Sequence, residues 1–220
     1  MRAPLVAFVD QALPDDDFTR LVRAVRALGR ERLRDSYQTT FWYELGAPPT
    51  SLVEVAVPTL LAKVPLGRRR DVVGVEWWLS RMRTSNVKVD FHRDRDNAYF
   101  EDTGRERHPR VSSLLYLSSC RGGLLAVTRA SPEPRNPACA PTRHDFDFVE
   151  PRPNRFAFFD GRLTHGVLDA NNQVPLRRLP TERRWRLAVA INLWAVRPRR
   201  VPAFADTPHY ARLRTSPQPP

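Results

Sequence analysis

The sequence predicts a mostly β barrel or sandwich with helices packed outside one of its sheets, and three observations predict it. From Tyr37 onward the chain is a series of short runs rich in β-branched and aromatic residues, separated by Pro, Gly, Asp and Arg, the composition of strands joined by turns. Ahead of these runs lies a helical start. The chain has 220 residues, 41% of them hydrophobic, which suffices for one domain with its own core and is too short for two ordinary domains with a linker.

Taken in order, Leu5-Val6-Ala7-Phe8-Val9 reads as a short apolar strand. Pro14 and then Asp15, Asp16 and Asp17 follow, residues suited to cap a helix and to favour its positive end. Phe18, Leu21, Val22, Val25 and Leu28 recur at helical spacing, and Gly29 is the expected stop. Arg20, Arg23, Arg26, Arg30, Arg32 and Arg34 read as the wet side of this first helix. Residues 50–64 form a second, weaker helix, which Pro58 is expected to kink or split. Strands are expected near 38–44, 73–80, 86–91, 111–118, 123–128, 145–149, 155–159, 165–168 and 185–194. Residues 130–141, punctuated by Pro132, Pro134, Pro137 and Pro141, read as a loop or crossover. The domain is expected to span 1–196 with its helical brace mainly in 14–65, and the Arg/Pro-rich tail 197–220 to wrap the surface or fray. No internal repeat is visible.

The net charge of +12 raises the question of a polyanionic partner. Among 36 basic residues only Lys63 and Lys88 are lysines, a choice that fits a GC-rich genome better than a set of selected phosphate contacts, so nucleic acid is not the expected partner. No apolar run approaches the roughly 18 residues of a membrane span, and Leu5 to Val9 is too short for a signal-peptide core. Cys120 and Cys139 form no C-x-x-C motif and read as free thiols of a reducing compartment. The expectation is a soluble, cytoplasmic protein.

Five histidines are present, and His92-Arg93-Asp94 is the pair best placed for chemistry. On extended chain residues i and i+2 point to one side, so His92 and Asp94 can meet a single ion while Arg93 faces away. Taken alone, the segment with Arg93, Arg95 and Asp96 also describes a solvated charge run. A third candidate ligand is His165, which follows the apolar run Arg155-Phe156-Ala157-Phe158-Phe159-Asp160-Gly161 and precedes Gly166. Two histidines and one carboxylate form the face that non-haem Fe(II) sites use, with coordination positions left open. His108, His144 and His209 have no partner at ligand spacing and read as structural or exposed. Of the neighbours Trp77 and Trp78, one is expected to pack and one can line a pocket, since adjacent strand residues face opposite ways.

Several segments together resemble the prolyl-4-hydroxylase-type branch of the Fe(II)/2-oxoglutarate-dependent dioxygenases. Phe8-Val9-Asp10-Gln11-Ala12-Leu13-Pro14-Asp15 resembles the family's opening strand and helix start. Leu114-Leu115-Tyr116-Leu117-Ser118 with Arg121-Gly122-Gly123-Leu124-Leu125 resembles its "LLYLN…GG" hairpin, and Pro153-Asn154-Arg155-Phe156 to His165-Gly166-Val167 its "P…R…FF…H-x-V" segment. The order and spacing of these pieces agree, from Leu5 to about Trp194. The resemblance implies a double-stranded β-helix core, a jelly roll of the cupin type, and iron ligands at His92, Asp94 and His165. It further implies that the far carboxylate of 2-oxoglutarate is held by Tyr116 and by a basic residue opening the last core strand. Both Arg186 and Arg184 can fill that place, with Arg186-Leu187-Ala188-Val189-Ala190-Ile191 the better fit. A guanidinium, a fixed fork of donors, suits a carboxylate in either case.

The activity so implied is hydroxylation of an amino-acid, peptidyl or natural-product substrate with O2, releasing succinate and CO2. The chain departs from the family at an apparent insertion over 171–182, at Leu124 in place of an acidic residue, and at Ser118 in place of asparagine. Those departures bear on the substrate more than on the cofactors. A nucleic-acid-directed oxygenase of the same superfamily, a cupin-like metalloenzyme without 2-oxoglutarate, and a non-enzymatic basic β-scaffold that binds a partner are the alternatives.

Overall fold

The computed structural model describes residues 3–29, 40–82, 91–120, 122–131, 143–168 and 186–215. Its elements are β1 (Val6–Val9), α1 (Asp15–Ala27), β2 (Phe41–Glu44), α2 (Leu52–Lys63), α3 (Leu66–Arg69), β3 (Gly74–Met82), α4 (Asn97–Thr103), β4 (Val111–Tyr116), β5 (Leu125–Thr128), β6 (Phe146–Val149), β7 (Phe156–Asp160), β8 (Thr164–Val167) and β9 (Arg186–Trp194). Six strands form one antiparallel sheet in the order β1-β7-β4-β9-β3-β2, and three form a second in the order β6-β5-β8. This is the expected jelly-roll arrangement, with the small sheet on one face of the large sheet and the helices on the other.

Strand alternation sorts the side chains between the two faces. Val75, Trp77 and Leu79 of β3 and Val189, Ile191 and Leu193 of β9 join Leu21 and Val25 of α1 and Val53, Val57 and Leu60 of α2 in the main core. Tyr116 of β4, Ala157 and Phe159 of β7 and Ala188 of β9 point the other way, toward Leu125, Val127 and Val149 of the small sheet. Between the sheets the large strands contribute alanines and serines where a packed core would carry Leu or Ile, and a cavity remains there.

Two expectations are corrected, and a third, open between wrapping and fraying for the tail, is narrowed. α2 runs unbroken through Pro58. Loss of one backbone hydrogen bond and the ring clash cost about 3 kcal/mol, whereas Val53, Val57 and Leu60 are each 1% exposed and each gains about 1.5–3 kcal/mol from burial. A capping box fixes its start, since Ser51 Oγ accepts from Glu54 N at 3.1 Å while Glu54 Oε2 accepts from Ser51 N at 3.1 Å. The other oxygen of Glu54 accepts from the Trp77 indole at 3.4 Å, tying α2 to β3. The three aspartates do not cap α1: Pro14 holds the cap position without a side-chain bond, and Asp15, Asp16 and Asp17 fill the first turn, facing its dipole. The tail does not fray over its described part. Phe204 and Leu213 are 0% exposed, and the Phe204 ring meets that of Phe41 edge-on at 5.2 Å.

α4 is an element the sequence reading lacks; it is capped by Asp96, which accepts from Tyr99 N, and ended by Gly104 at φ 68°. The expected strand over 86–91 except Phe91, most of the 130–141 loop, the 171–182 insertion, Cys139 and Arg184 lie outside the described residues.

Glu76 sits beside Trp77 but on the cavity-facing side of β3, half-buried. Burial raises its carboxyl to about 7, and the charges of Asp94 and Asp96 push the same way against hydrogen bonds from Thr40 and Trp194. A carboxyl raised on folding binds a proton the unfolded chain has already lost, so stability falls as pH rises from the ordinary carboxylate range to about 7. Glu76→Gln is therefore expected to raise the melting temperature of the metal-free protein at pH 8, with the gain shrinking as pH falls toward 4.5; calorimetric scans across that range check it, and an unchanged or lowered melting temperature at pH 8 contradicts it.

Candidate metal centre

His92 and His165 are brought together by backbone rather than by side-chain attraction. An isolated antiparallel bridge joins them, with each amide donating to the other's carbonyl at 2.9 Å. Gly166 follows His165, and a Cβ there would lie 2.9 Å from the Phe91 ring, so only glycine lets Phe91 lie against β8 at this point. The two imidazole centroids are 4.4 Å apart.

Asp94 completes the group. His92 Nε2 lies 3.5 Å from Asp94 Oδ1, and His165 Nε2 lies 3.5 Å from Asp94 Oδ2. One ligand atom from each residue falls within 4.8 Å of the others, a spacing at which one ion can contact all three. The His92 side chain is 47% exposed whereas those of Asp94 and His165 are 13% and 11%, so the group stands at the mouth of the cavity with two ligands inside it.

Neighbouring groups orient the ligand atoms. Ser112 of β4 donates to Asp94 Oδ2 at 2.6 Å, and His108 Nδ1 donates to the Asp94 carbonyl at 2.6 Å. His165 Nδ1 lies 3.2 Å from the Leu163 carbonyl. A carbonyl only accepts, so Nδ1 carries the proton and Nε2 keeps its lone pair toward Asp94. The Phe159 ring packs 4.8 Å from that imidazole.

The protonation states match a cation. Burial alone would push the Asp94 carboxyl up, but the two imidazoles beside it and the hydrogen bond from Ser112 hold it well below the usual carboxylate range. Burial pushes His165 down, so its imidazole is favoured neutral. An ionised carboxylate with a neutral imidazole is the donor set a divalent transition metal takes.

The cavity runs inward from this group and is lined by Trp78, Leu114, Phe159, Val167, Ala190 and Arg186 among others. Arg186 opens β9 and is 1% exposed. Its Nε donates to the Gly123 carbonyl at 3.2 Å, and its Nη2 lies 3.5 Å from Tyr116 Oη. The guanidinium stands 5.0 Å from the Tyr116 ring centre. Burial pushes the Tyr116 phenol up, with the Arg186 charge opposing, so Tyr116 stays a neutral hydroxyl. Floor and mouth of one cavity thus carry a buried guanidinium with a phenol and a His-Asp-His group.

His92, Asp94, His165 and Arg186 all line this cavity, and Tyr116 stands against Arg186. Trp77 is in the core and Trp78 lines the cavity. Ser112, His108 and Asn192 are additions. Alternation along Val111–Tyr116 puts Ser112 on the same face as Tyr116, a signal available in the sequence, whereas the His108 contact with a backbone carbonyl has none.

No family model matches the chain, and no curated protein sequence matches it. Solved structures do. A prolyl-4-hydroxylase from Pseudomonas putida superposes with a TM-score of 0.52 at 20% identity, over 87% of this chain and 86% of that one. HygX from Streptomyces hygroscopicus, solved with nickel and 2-oxoglutarate bound, gives 0.51 at 17% identity, over 91% of this chain and 83% of that one. From β1 to the end of β9 and beyond, the chain has the double-stranded β-helix fold of a prolyl-4-hydroxylase.

Proposed function

We propose that the protein is an Fe(II)- and 2-oxoglutarate-dependent oxygenase that hydroxylates a small-molecule or peptide substrate. The observation that carries this reading is that one cavity is lined both by a His-Asp-His group and by the buried Arg186, whose guanidinium reaches toward the Tyr116 hydroxyl. The fold shared with HygX, whose structure contains nickel and 2-oxoglutarate, supports the same pairing of ligands here.

His92, Asp94 and His165 would hold the metal, and Arg186 with the Tyr116 hydroxyl would hold the far carboxylate of 2-oxoglutarate. Bound there, Fe(II) supplies a redox-active centre with coordination positions open to a chelating co-substrate and O2. The net reaction converts substrate C–H, 2-oxoglutarate and O2 into substrate C–OH, succinate and CO2. The chain's own part is positioning. Arg186 offers a rigid fork of N–H donors, and Tyr116, neutral because buried, donates rather than repels. Ser112 keeps the Asp94 oxygen turned toward His165. Leu114, Phe159 and Val167 line the wall between floor and mouth and keep water from the reacting groups. No helix among the described residues is long and apolar enough to cross a membrane.

Anaerobic addition of Fe(II) and then 2-oxoglutarate is expected to produce a weak visible charge-transfer band that His165→Ala and Asp94→Ala abolish along with succinate formation; succinate formation that survives both substitutions sinks the reading. Arg186→Met is expected to leave metal binding intact and to raise the 2-oxoglutarate concentration for half-saturation by about tenfold or more, the effect of losing a charge-assisted hydrogen-bonded pair. An unchanged half-saturation would show that the far carboxylate of 2-oxoglutarate is held elsewhere than at Arg186, whereas absence of any dependence on 2-oxoglutarate would favour a cupin-like enzyme without this co-substrate. Ser112→Ala is expected to weaken metal affinity by about 10–100-fold, as for other residues that orient a ligand from behind, and a competitive chelator titration reads it.

A further inference from the structure

The polar side chains lining the cavity divide by what they are already bonded to. His92, Asp94 and His165 form the metal group. Ser112 donates to Asp94 Oδ2, and Ser113 donates to the Ile191 carbonyl. Arg186 donates to the Gly123 carbonyl and reaches toward the Tyr116 hydroxyl. Two lining residues remain, Ser80 and Asn192, which are 5% and 2% exposed. Neither side chain has a hydrogen-bond partner among the described residues. A buried carboxamide left unmet costs free energy that a bonded one does not, and a ligand group that pairs with it relieves that cost.

The strand register sets these two residues apart. Along β9, Arg186, Ala188, Ala190 and Asn192 succeed one another on the cavity side, with Ser80 opposite Ala188 and Trp78 opposite Ala190. Ser80 therefore lies toward Arg186, on the side of the co-substrate's far carboxylate, and Asn192 lies at the other end. The β4–β9 pairing of Val111 with Leu193 and of Leu114 with Ala190 sets Ser112 level with Asn192, one strand spacing of about 4.8 Å away. Asn192 is thus the neighbour of the serine that holds the metal-ligand carboxylate. Ala190, flanked across the strands by Trp78 and Leu114, contributes only a methyl group, so the Trp78 indole walls the space beside Asn192.

We infer that Asn192 binds the substrate beside the metal, and that it takes a neutral group able both to donate and to accept a hydrogen bond, an amide or a hydroxyl, carried on a flat or cyclic apolar body that lies against Trp78. The inference rests on the oxygenase reading and names the substrate chemistry for it. A carboxamide presents an acceptor oxygen and two N–H donors, which an amide or hydroxyl answers in both senses. A carboxylate only accepts, and an ammonium only donates. Charge points the same way. Among the described residues lining the cavity, every charged side chain belongs to the metal group or is Arg186, so a charged substrate group at Asn192 would be desolvated without a counter-charge. Trp78, Leu114, Leu125 and Val167 supply apolar wall for the rest of the molecule.

The test uses benzamide, benzylammonium and benzenesulfonate as probes, titrated into the full chain loaded with Zn(II) and 2-oxoglutarate and read by saturation-transfer NMR and calorimetry. The wild type is expected to bind benzamide more tightly than either ion. Asn192→Leu is expected to weaken benzamide by about three- to tenfold, the scale of one neutral hydrogen bond, and to leave the calorimetric affinity for 2-oxoglutarate unchanged. No measurable benzamide binding, an ion bound as tightly as benzamide, or equal benzamide binding by wild type and Asn192→Leu overturns the inference. A variant that loses 2-oxoglutarate affinity instead also overturns it, by placing Asn192 on the co-substrate. If near-ultraviolet circular dichroism shows Asn192→Leu misfolded, Asn192→Ala replaces it, with the same loss expected and unchanged benzamide affinity overturning. Each of these failures, with 2-oxoglutarate bound to the metal-loaded wild type, counts against this inference alone, whereas absence of 2-oxoglutarate binding counts against the oxygenase reading.

Discussion

Everything about the cavity depends on the two-residue alternation of three neighbouring strands, β3, β9 and β4. One set of side chains, Trp77, Ile191 and Leu115 among them, is consumed by the core under the helices. The other set faces the small sheet, and there the sequence supplies Ser80, Ala188, Ala190 and Ser112 in place of bulk. A slip of one residue in any pairing would exchange the two sets, putting Trp77 in the cavity and Trp78 in the core. The register is held because the helix-side set is large and apolar: the hydrophobic gain on one face fixes the position of polar groups on the other. The site is thus specified by residues that never touch it.

The same constraint explains why costly groups persist inside. Arg186 at 1% exposure would be destabilising if its donors were unmet, and the Gly123 carbonyl and Tyr116 hydroxyl meet part of the demand. Asp94 is kept ionised by surrounding imidazoles and by Ser112. Such groups stabilise a fold poorly compared with an apolar core of equal volume.

Much of this was legible in the sequence because the signals were short-range or periodic. The spacing of His92 and Asp94 needs only extended backbone, whereas Arg186 was reached through the resemblance of Arg186–Ile191 to the family's pattern, with Arg184 left open beside it. Alternation separated Trp77 from Trp78. What was not legible depended on partners distant in sequence or on magnitudes. The proline rule for Pro58 was outweighed by burial that only tertiary structure creates. The aspartates before Phe18 look like caps, but Pro14 takes the cap position itself. α4 is too short to show a period, and the tail's Phe204 and Leu213 carry no mark that they belong to the main core.

The metal-ligand loop shows how these distant contacts act together. A segment bearing two ligands between two strands would ordinarily be mobile. Here it is pinned at each step: His92 by its backbone bridge to His165, Asp94 by His108 and Ser112, and Asp96 at the cap of α4. Asp96, 3% exposed, accepts from Tyr99 N at 2.9 Å and from Arg199 N at 3.0 Å, with the Arg107 guanidinium 3.5 Å away. Arg199 and Arg200 also pair with Asp102 at 2.7 and 2.6 Å, clamping α4 from the far end of the chain. Those surface pairs are individually weak, but they all restrain one short helix whose first turn lies two residues from a ligand. Residues 197–215 thereby serve the geometry of the centre as well as the core.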